Sequence, residues 1–215
     1  MRSWSVVVPA KRLAVARTRL RPLTDGLPGT GRSAHDDLVL AFLADTVTAA
    51  LRCPAVGSVL VVTDDQAAAE VARAVGAGTV PDVPDRGLNP ALEHGTEVTG
   101  SDAVAALSSD LPALRPAELA SALAAAESAP RCFVPDAQGT GTTLLTALGT
   151  PLRPAFGSGS AQAHRAGGAV ALEGEWPGLV RDVDTGADLG AAELLGVGPH
   201  TTALLDRLRS ARTRP

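Results

Sequence analysis

Three aspartates occupy positions from which carboxylates could bind a divalent cation. Asp110 directly follows an apolar segment, and Asp182 and Asp184 lie two residues apart further along the chain. In an extended chain alternate side chains project from one face, so this pair would point together, with Val183 on the other side. Two adjacent carboxylates repel each other unless a cation neutralises them, and hard oxygen ligands suit Mg²⁺. Two structural interpretations stay open: Asp110 as the cap of a turn, and the pair as a solvated strand end.

A basic segment near the N-terminus carries residue types that bind phosphate. It holds four cations within nine residues, although the net charge of the chain is −4. These cations are Lys11, Arg12, Arg17 and Arg19. Lys11 is the only lysine of the chain and could neutralise a polyphosphate with help from Arg17 and Arg19. A solvated basic loop is the alternative interpretation.

Two glycine-rich runs could present backbone N–H groups to an anion. The first is Gly-Thr-Gly-Thr-Thr at residues 139–143, where we predict that a helix begins near residue 142. The second is Gly-Ser-Gly-Ser at residues 157–160. Each run taken alone is equally compatible with a flexible turn.

Several common catalytic and binding motifs are missing from the sequence. It contains no Gly-Lys-Ser/Thr P-loop, no Gly-x-Gly-x-x-Gly and no Gly-x-Ser-x-Gly, which argues against a P-loop NTPase, a dinucleotide enzyme and an α/β-hydrolase. The four histidines are too widely spaced for a local zinc motif. Cys53 and Cys132 are too few for a disulfide framework and are interpreted as small buried hydrophobes.

Composition and charge restrict the class of protein further. The chain has 215 residues, of which 45% are apolar, and this is enough for one domain with a sizeable core. A net charge of −4 and an aromatic content of 2% argue against a nucleic-acid partner. The apolar runs fall short of the roughly 18 residues that a membrane span needs. With no signal-peptide pattern at the N-terminus, we expect a cytoplasmic protein without membrane association.

Strands and helices alternate along the predicted chain. Strands are predicted at residues 4–9, 56–63, 78–81, 103–107, 131–135, 169–172 and 180–183. Helices are predicted at residues 34–52, 66–75, 90–99, 116–128, 142–148, 186–195 and 201–212. This alternation predicts an α/β fold in which helices flank both faces of a mainly parallel sheet. Ligands bind at the carboxyl ends of such strands, which is where Asp110 would lie.

No composition break divides the chain, so residues 1–215 are predicted to form a single domain. The last residues, from about 208 to 215, are the candidate for a disordered tail.

Taken in order, these motifs resemble one family. The resemblance runs from about residue 4 to residue 201 and is carried by residues 4–20, Asn89, residues 109–112, residues 135–142, residues 156–160 with His164, and residues 181–189. The chain looks like the 2-phospho-L-lactate guanylyltransferase family, whose actinobacterial branch is called phosphoenolpyruvate guanylyltransferase. Each motif is weak alone, and it is the ordered set that is specific.

The resemblance implies a single Rossmann-like nucleotidyltransferase domain of the glycosyltransferase-A type, with a mixed, mainly parallel sheet. Such an enzyme condenses GTP with a phosphorylated three-carbon acid and releases pyrophosphate in the biosynthesis of coenzyme F-420. It also implies that Asp110, Asp182 and Asp184 hold Mg²⁺, as two ions, and that Lys11 belongs to the catalytic nucleotide loop. A transient contact with the downstream deazaflavin transferase is a further implication.

Other site residues are implied in the same way. The backbone at Thr142 and Gly157 and the hydroxyl of Ser160 would hold the acid. The nucleotide would be bound by Lys11, Arg17, Arg19, Thr63 and Asn89. The sequence departs from the family at Arg17, where lysine is usual, and in residues 32–37, which replace a more apolar helix start.

The acid and the reaction have alternatives. Phosphoenolpyruvate, 2-phospho-L-lactate and 3-phosphoglycerate differ little, and the Arg-, Ala- and Gly-rich composition of a GC-rich genome favours phosphoenolpyruvate. The alternative functions are a nucleotidyltransferase that acts on a sugar phosphate and a non-catalytic nucleotide-binding protein.

Overall fold

The computed structural model describes residues 2–10, 18–25, 27, 29, 32–83 and 85–212. In this part of the chain seven short apolar segments pair into one mixed sheet. The strands are β1 (Trp4–Pro9), β2 (Val56–Val62), β3 (Gly78–Val80), β4 (Ala103–Leu107), β5 (Arg131–Pro135), β6 (Thr142–Leu148) and β7 (Val170–Ala171). Their order is β3-β2-β1-β4-β6-β5-β7. Only β6 runs antiparallel to its neighbours, β4 and β5. The predicted mixed, mainly parallel sheet is confirmed.

Helices cover both faces of this sheet. They are α1 (Arg21–Thr24), α2 (Ala34–Leu51), α3 (Gln66–Ala74), α4 (Leu88–Thr99), α5 (Pro116–Ala125), α6 (Ser160–Ala166), α7 (Gly186–Leu195) and α8 (Pro199–Arg212), with single 3₁₀ turns at Thr18–Leu20 and Ala126–Ser128. Successive side chains of β1 point to opposite faces of the sheet and so contact different helices. Val6 and Val8 pack with residues of α2, α3 and α5, whereas Val7 packs with α4. No described helix has both the length and the apolar character needed to cross a bilayer.

The long helix α2 is stabilised at its start and along its outer side. The Ser33 hydroxyl accepts a hydrogen bond from the Asp36 N–H (3.1 Å), so Ser33 is the N-cap of this helix. On the outer side the buried carboxylate of Asp45 accepts hydrogen bonds from the N–H groups of His200 (3.0 Å) and Thr201 (2.8 Å). These two N–H groups lie in the first turn of α8, so Asp45 anchors that helix against α2.

Two predicted elements have the wrong type of secondary structure, and other predicted bounds differ by a few residues. The helix predicted over residues 142–148 was wrong, because this segment is the strand β6 and hydrogen-bonds to β4 on one side and β5 on the other. The strand predicted over residues 180–183 was also wrong. Its backbone bonds to loops rather than to a strand, since Val180 accepts from the Ala137 N–H and Val183 donates to the Asp110 carbonyl. Helix α4 begins two residues before the predicted Pro90.

At its carboxyl end the described chain is helical rather than disordered. Helix α8 continues through the buried Leu208 to Arg212. Residues 213–215 lie outside the described part of the chain.

Helix α4 approaches the sheet most closely at Gly95. A Cβ atom at this position would lie 2.6 Å from Val62 Cγ2 and 2.6 Å from Val7 Cγ1. Valine is branched at Cβ and stiff, and these two side chains belong to central strands, so neither can easily yield. A glycine is therefore required where α4 crosses β1 and β2.

We predict that Gly95→Ala is less stable than a matched substitution in an exposed helix. Gly190 lies in α7 with open space around it, so Gly190→Ala gains helix propensity without a clash. Both variants gain that propensity. The difference between their free energies of unfolding therefore isolates the steric cost of overpacking, which is about 1–3 kcal/mol. Urea denaturation of both variants measures it, and equal free energies of unfolding would contradict the close approach of α4.

Candidate active site

A cavity of about 890 Å³ opens at the carboxyl edge of the sheet. Its floor includes Pro9 and Ala10 at the end of β1, and residues 108–110 after β4. In the sheet, β1 lies between β2 and β4. The strands β1, β2 and β3 follow one another outward on one side, and β4 begins the other side, so the strand order reverses at β1. Open α/β sheets bind ligands at such a switch point.

The backbone around Asp110 is fixed by a buried hydroxyl of α2. Thr46 Oγ1 accepts a hydrogen bond from the Leu111 N–H (2.9 Å) and donates to the Phe42 carbonyl (2.8 Å). The Thr46 side chain is fully buried and that of Asp110 is 2% exposed. The loop after β4 therefore presents the Asp110 carboxylate from a rigid position on the cavity wall.

The second acidic segment crosses the same wall. The Val183 N–H donates to the Asp110 carbonyl (3.1 Å), and the Val183 side chain is fully buried. Asp182 and Asp184, on either side of it, both line the cavity. The alternation predicted from the sequence therefore exists without a strand, and the structure brings Asp110, Asp182 and Asp184 to one cavity.

A capping box at the start of α7 orients Asp184. Thr185 is the N-cap: its hydroxyl accepts from the Asp188 N–H (3.3 Å) and donates to Asp188 Oδ2 (2.7 Å). The same carboxylate oxygen accepts from the N–H groups of Thr185 (2.9 Å) and Asp184 (3.3 Å). The sequence Asp-x-Asp-Thr therefore ends in a helix start that fixes the backbone beside the second aspartate.

The described residues that line the cavity carry a strongly negative total charge. The described carboxylates are Asp110, Asp136, Asp182, Asp184 and Asp188, and the described cation is the exposed Arg19. In the described residues, His, Cys, Asp and Glu side chains do not form a ready-made group of three that could hold a metal. Mg²⁺ does not need one, because it is usually bound through one or two carboxylates together with water and substrate phosphates. The all-oxygen donor set on this wall fits that ion.

The two glycine-rich runs contribute further residues to the cavity lining. Asp136 shapes the first, since its carboxylate accepts from the N–H groups of Gln138 (3.2 Å), Thr140 (2.9 Å) and Gly141 (2.8 Å). This run leads into strand β6. The helix predicted to begin near residue 142 is therefore absent. Thr142 lies at the end of the run, facing the cavity.

The second run does precede a helix. Gly157 (φ +132°) and Ser158 lead through Gly159 to Ser160, the first residue of α6. Gly157 and Ser160 line the cavity with Thr142, and the Ser160 side chain is 2% exposed. The three residues predicted to hold the acid are thus brought together.

The predicted nucleotide residues are more scattered. Lys11 and Arg17 lie outside the described residues, and Arg19 lines the cavity. The hydroxyl of the buried Thr63 accepts from the Asp65 N–H (3.1 Å). Asn89 bonds with both ends of its amide to the Phe156 backbone: Oδ1 accepts from the N–H (2.8 Å) and Nδ2 donates to the carbonyl (3.1 Å). Neither Thr63 nor Asn89 is among the residues that line the cavity.

His164 has a structural role that the sequence analysis missed. Its ring lies behind Thr142, with Nδ1 2.9 Å from the Thr142 hydroxyl and Nε2 accepting from the Ala155 N–H (2.9 Å). Burial, helped by the nearby Arg131 charge, lowers the pKa of His164 to about 4. The four-residue spacing from Ser160 could have indicated that both side chains share one face of α6.

Comparison with known proteins shows the family and agrees with the fold. The family model described as "Guanylyl transferase CofC like" matches residues 4–212. A phosphoenolpyruvate guanylyltransferase of Geodermatophilus obscurus is 74% identical over 205 residues, which cover 95% of each chain. That of Salinispora arenicola is 54% identical over 204 residues, which cover 94% of this chain and 92% of the relative.

Solved structures show the same fold at low sequence identity. A putative nucleotide-diphospho-sugar transferase from Desulfovibrio desulfuricans aligns with a TM-score of 0.67 at 17% identity, covering 98% of this chain and 99% of the other. A nucleotidyl transferase from Methanothermobacter aligns with a TM-score of 0.60 at 22% identity, covering 90% and 97%. The resemblance drawn from the ordered motifs is confirmed: the chain belongs to the CofC-like guanylyl transferase family.

Proposed function

We propose that this protein is a phosphoenolpyruvate guanylyltransferase, which joins GTP and phosphoenolpyruvate into a guanosine diphospho-acid and releases pyrophosphate. The observation that carries the proposal is the meeting of three aspartates with Thr142, Gly157 and Ser160 across one cavity. Two relatives of 74% and 54% identity bear this enzyme name.

The proposed reaction is a single in-line displacement. A phosphate oxygen of the acid forms a bond to the α-phosphorus of GTP, the bond from that phosphorus to the β-phosphate oxygen breaks, and pyrophosphate leaves with the electron pair. No covalent intermediate with the protein is required. Both reactants are polyanions, so the principal barrier is their mutual repulsion, and catalysis depends on positioning and on charge stabilisation.

The acidic wall would serve the nucleotide through a metal. We propose that Asp110, Asp182 and Asp184 hold Mg²⁺, as two ions. When bound, the ions would offset the negative charge of the phosphates and hold the reacting oxygens together. The protein contributes the rigidity: Thr46 and the capping box fix the backbone beside these carboxylates.

The two glycine-rich runs would bind the acid. The backbone at Thr142 and Gly157 and the hydroxyl of Ser160 supply uncharged donors for its anionic groups. Arg19 would stabilise the departing pyrophosphate together with Lys11 and Arg17. The nucleotide contacts of Thr63 and Asn89, and a transient contact with the downstream deazaflavin transferase, stay predictions.

We predict that the purified protein releases pyrophosphate from GTP with Mg²⁺ only when a phosphorylated three-carbon acid is present. Phosphoenolpyruvate should exceed 2-phospho-L-lactate and 3-phosphoglycerate by at least about tenfold in kcat/KM, a difference of about 1.4 kcal/mol in transition-state binding. A coupled pyrophosphate assay and mass analysis of the product measure this. Turnover with a sugar 1-phosphate and none with phosphoenolpyruvate would overturn the proposal in favour of the sugar-phosphate alternative.

Asp182→Asn tests the acidic wall. Replacing the carboxylate by a neutral amide of nearly the same shape should lower kcat/KM by at least about 100-fold, or about 2.7 kcal/mol in the barrier, because a charge proposed to hold Mg²⁺ is lost. The matched control is Asp206→Asn on the exposed side of α8, which should leave kcat/KM unchanged. Thermal melting of both variants checks the fold. An Asp182→Asn enzyme within tenfold of the unmodified protein would rule out the metal role.

A further inference from the structure

The hydrogen bonds of His164 determine which of its nitrogens carries a proton. The backbone N–H of Ala155 points at Nε2 from 2.9 Å, and an N–H can only donate. Nε2 is therefore the unprotonated nitrogen, and a neutral imidazole must then carry its proton on Nδ1. Because the pKa of His164 is lowered to about 4, the ring is neutral at pH 7.

This tautomer sets the direction of the next hydrogen bond. Nδ1 lies 2.9 Å from Thr142 Oγ1, and since Nδ1 carries the proton, the histidine donates and the hydroxyl accepts. The proton of the Thr142 hydroxyl must then point elsewhere. No described group accepts it, whereas Thr142 lines the cavity. A buried hydroxyl donor without an acceptor is costly, so the site favours a ligand that supplies an acceptor oxygen there.

We propose that His164 is a positioning residue, which makes the Thr142 hydroxyl a hydrogen-bond donor to an anionic oxygen of the phosphorylated acid. The identity of that ligand rests on the proposed function. The inference goes beyond it, because the family resemblance implies only the backbone of Thr142 and assigns nothing to His164.

The surroundings of His164 keep this arrangement in place. Phe156 meets the ring edge-on with centroids 5.1 Å apart, and Phe133 lies 5.8 Å away. Asn89 fixes the Phe156 backbone from the other side through two hydrogen bonds. The imidazole therefore cannot flip without breaking the Ala155 contact, and the donor direction of Thr142 is preset before a ligand binds.

The tautomer can be tested without any assay of activity. In protein labelled with ¹⁵N-histidine, long-range ¹H–¹⁵N spectra distinguish a protonated Nδ1 from a protonated Nε2. We expect His164 to show the neutral Nδ1–H form from pH 8 to pH 6, with its signal assigned by loss in His164→Gln. A protonated Nε2 on His164 would overturn the proposal.

A double-mutant cycle tests the action through Thr142. His164→Gln keeps an acceptor near the Ala155 N–H but removes the Nδ1 donor, and should raise KM for phosphoenolpyruvate about tenfold with KM for GTP unchanged. Thr142→Val removes the hydroxyl at nearly constant shape. In the Thr142→Val background, His164→Gln should change KM for phosphoenolpyruvate by less than about twofold, since residues acting through one another are not additive.

Two controls separate this role from general damage. His200→Gln, an equivalent substitution at an exposed position of α8, should leave both KM values unchanged. Equal and independent effects of His164→Gln in both backgrounds, or equal loss for GTP and acid, would show a merely structural residue. Failure of the unmodified protein to turn over phosphoenolpyruvate would overturn the proposed function instead, and the NMR result would still decide the tautomer.

Discussion

Electrostatic repulsion between the cavity carboxylates and the phosphorylated substrates is the constraint on which the rest of this structure depends. A nucleoside triphosphate and a phosphorylated acid must meet in a cavity whose described wall already carries five carboxylates and one arginine. Without cations such a wall would reject both ligands, because like charges in a partly desolvated site repel strongly. In the proposed function the same carboxylates become useful, because a divalent cation between them and the phosphates offsets both sets of charges. The carboxylates are then one half of the proposed ion-binding arrangement, and the substrate is the other half.

Such an arrangement works only if the carboxylates cannot relax away from one another. The fold achieves this by holding the backbone beside the carboxylates: the Val183 N–H donates to the Asp110 carbonyl, and the Thr46 hydroxyl accepts from the N–H of Leu111, the residue after Asp110. The burial of Val183 and the capping box at Thr185 fix the second segment. Repulsion between carboxylates is thus opposed by hydrogen bonds and apolar burial at neighbouring positions, which keeps the three aspartates at the cavity.

The sequence predicted the elements with strong local signals and failed where tertiary partners decide. The bounds of β1, β4 and β5 matched the structure because each is a continuous apolar run closed by turn residues. Residues 142–148 are a run of leucine, alanine and threonine that is too short to distinguish helix from strand, and pairing with β4 and β5 made it a strand. Asp182 and Asp184 were singled out by their spacing and Asp110 by its place after an apolar run, and the structure has all three lining one cavity. The hydrogen bonds of Asn89 and His164 were not predicted, because their partners lie 67 and 22 residues away and no local pattern encodes such contacts.

These two residues show how the cavity treats its two anionic ligands differently. In the proposed function Asp110, Asp182 and Asp184 carry full negative charges that need a cation, whereas the glycine-rich runs offer N–H and hydroxyl dipoles held by His164, Asn89 and Asp136. A cationic side chain there would bind the acid and the product with similar strength and would contribute little to the chemical step. Fixed dipoles orient an anion without holding the product as tightly, and they need no reorganisation when the bond forms. A neutral ring beside Thr142 is therefore consistent with a site that positions its second substrate rather than one that traps it.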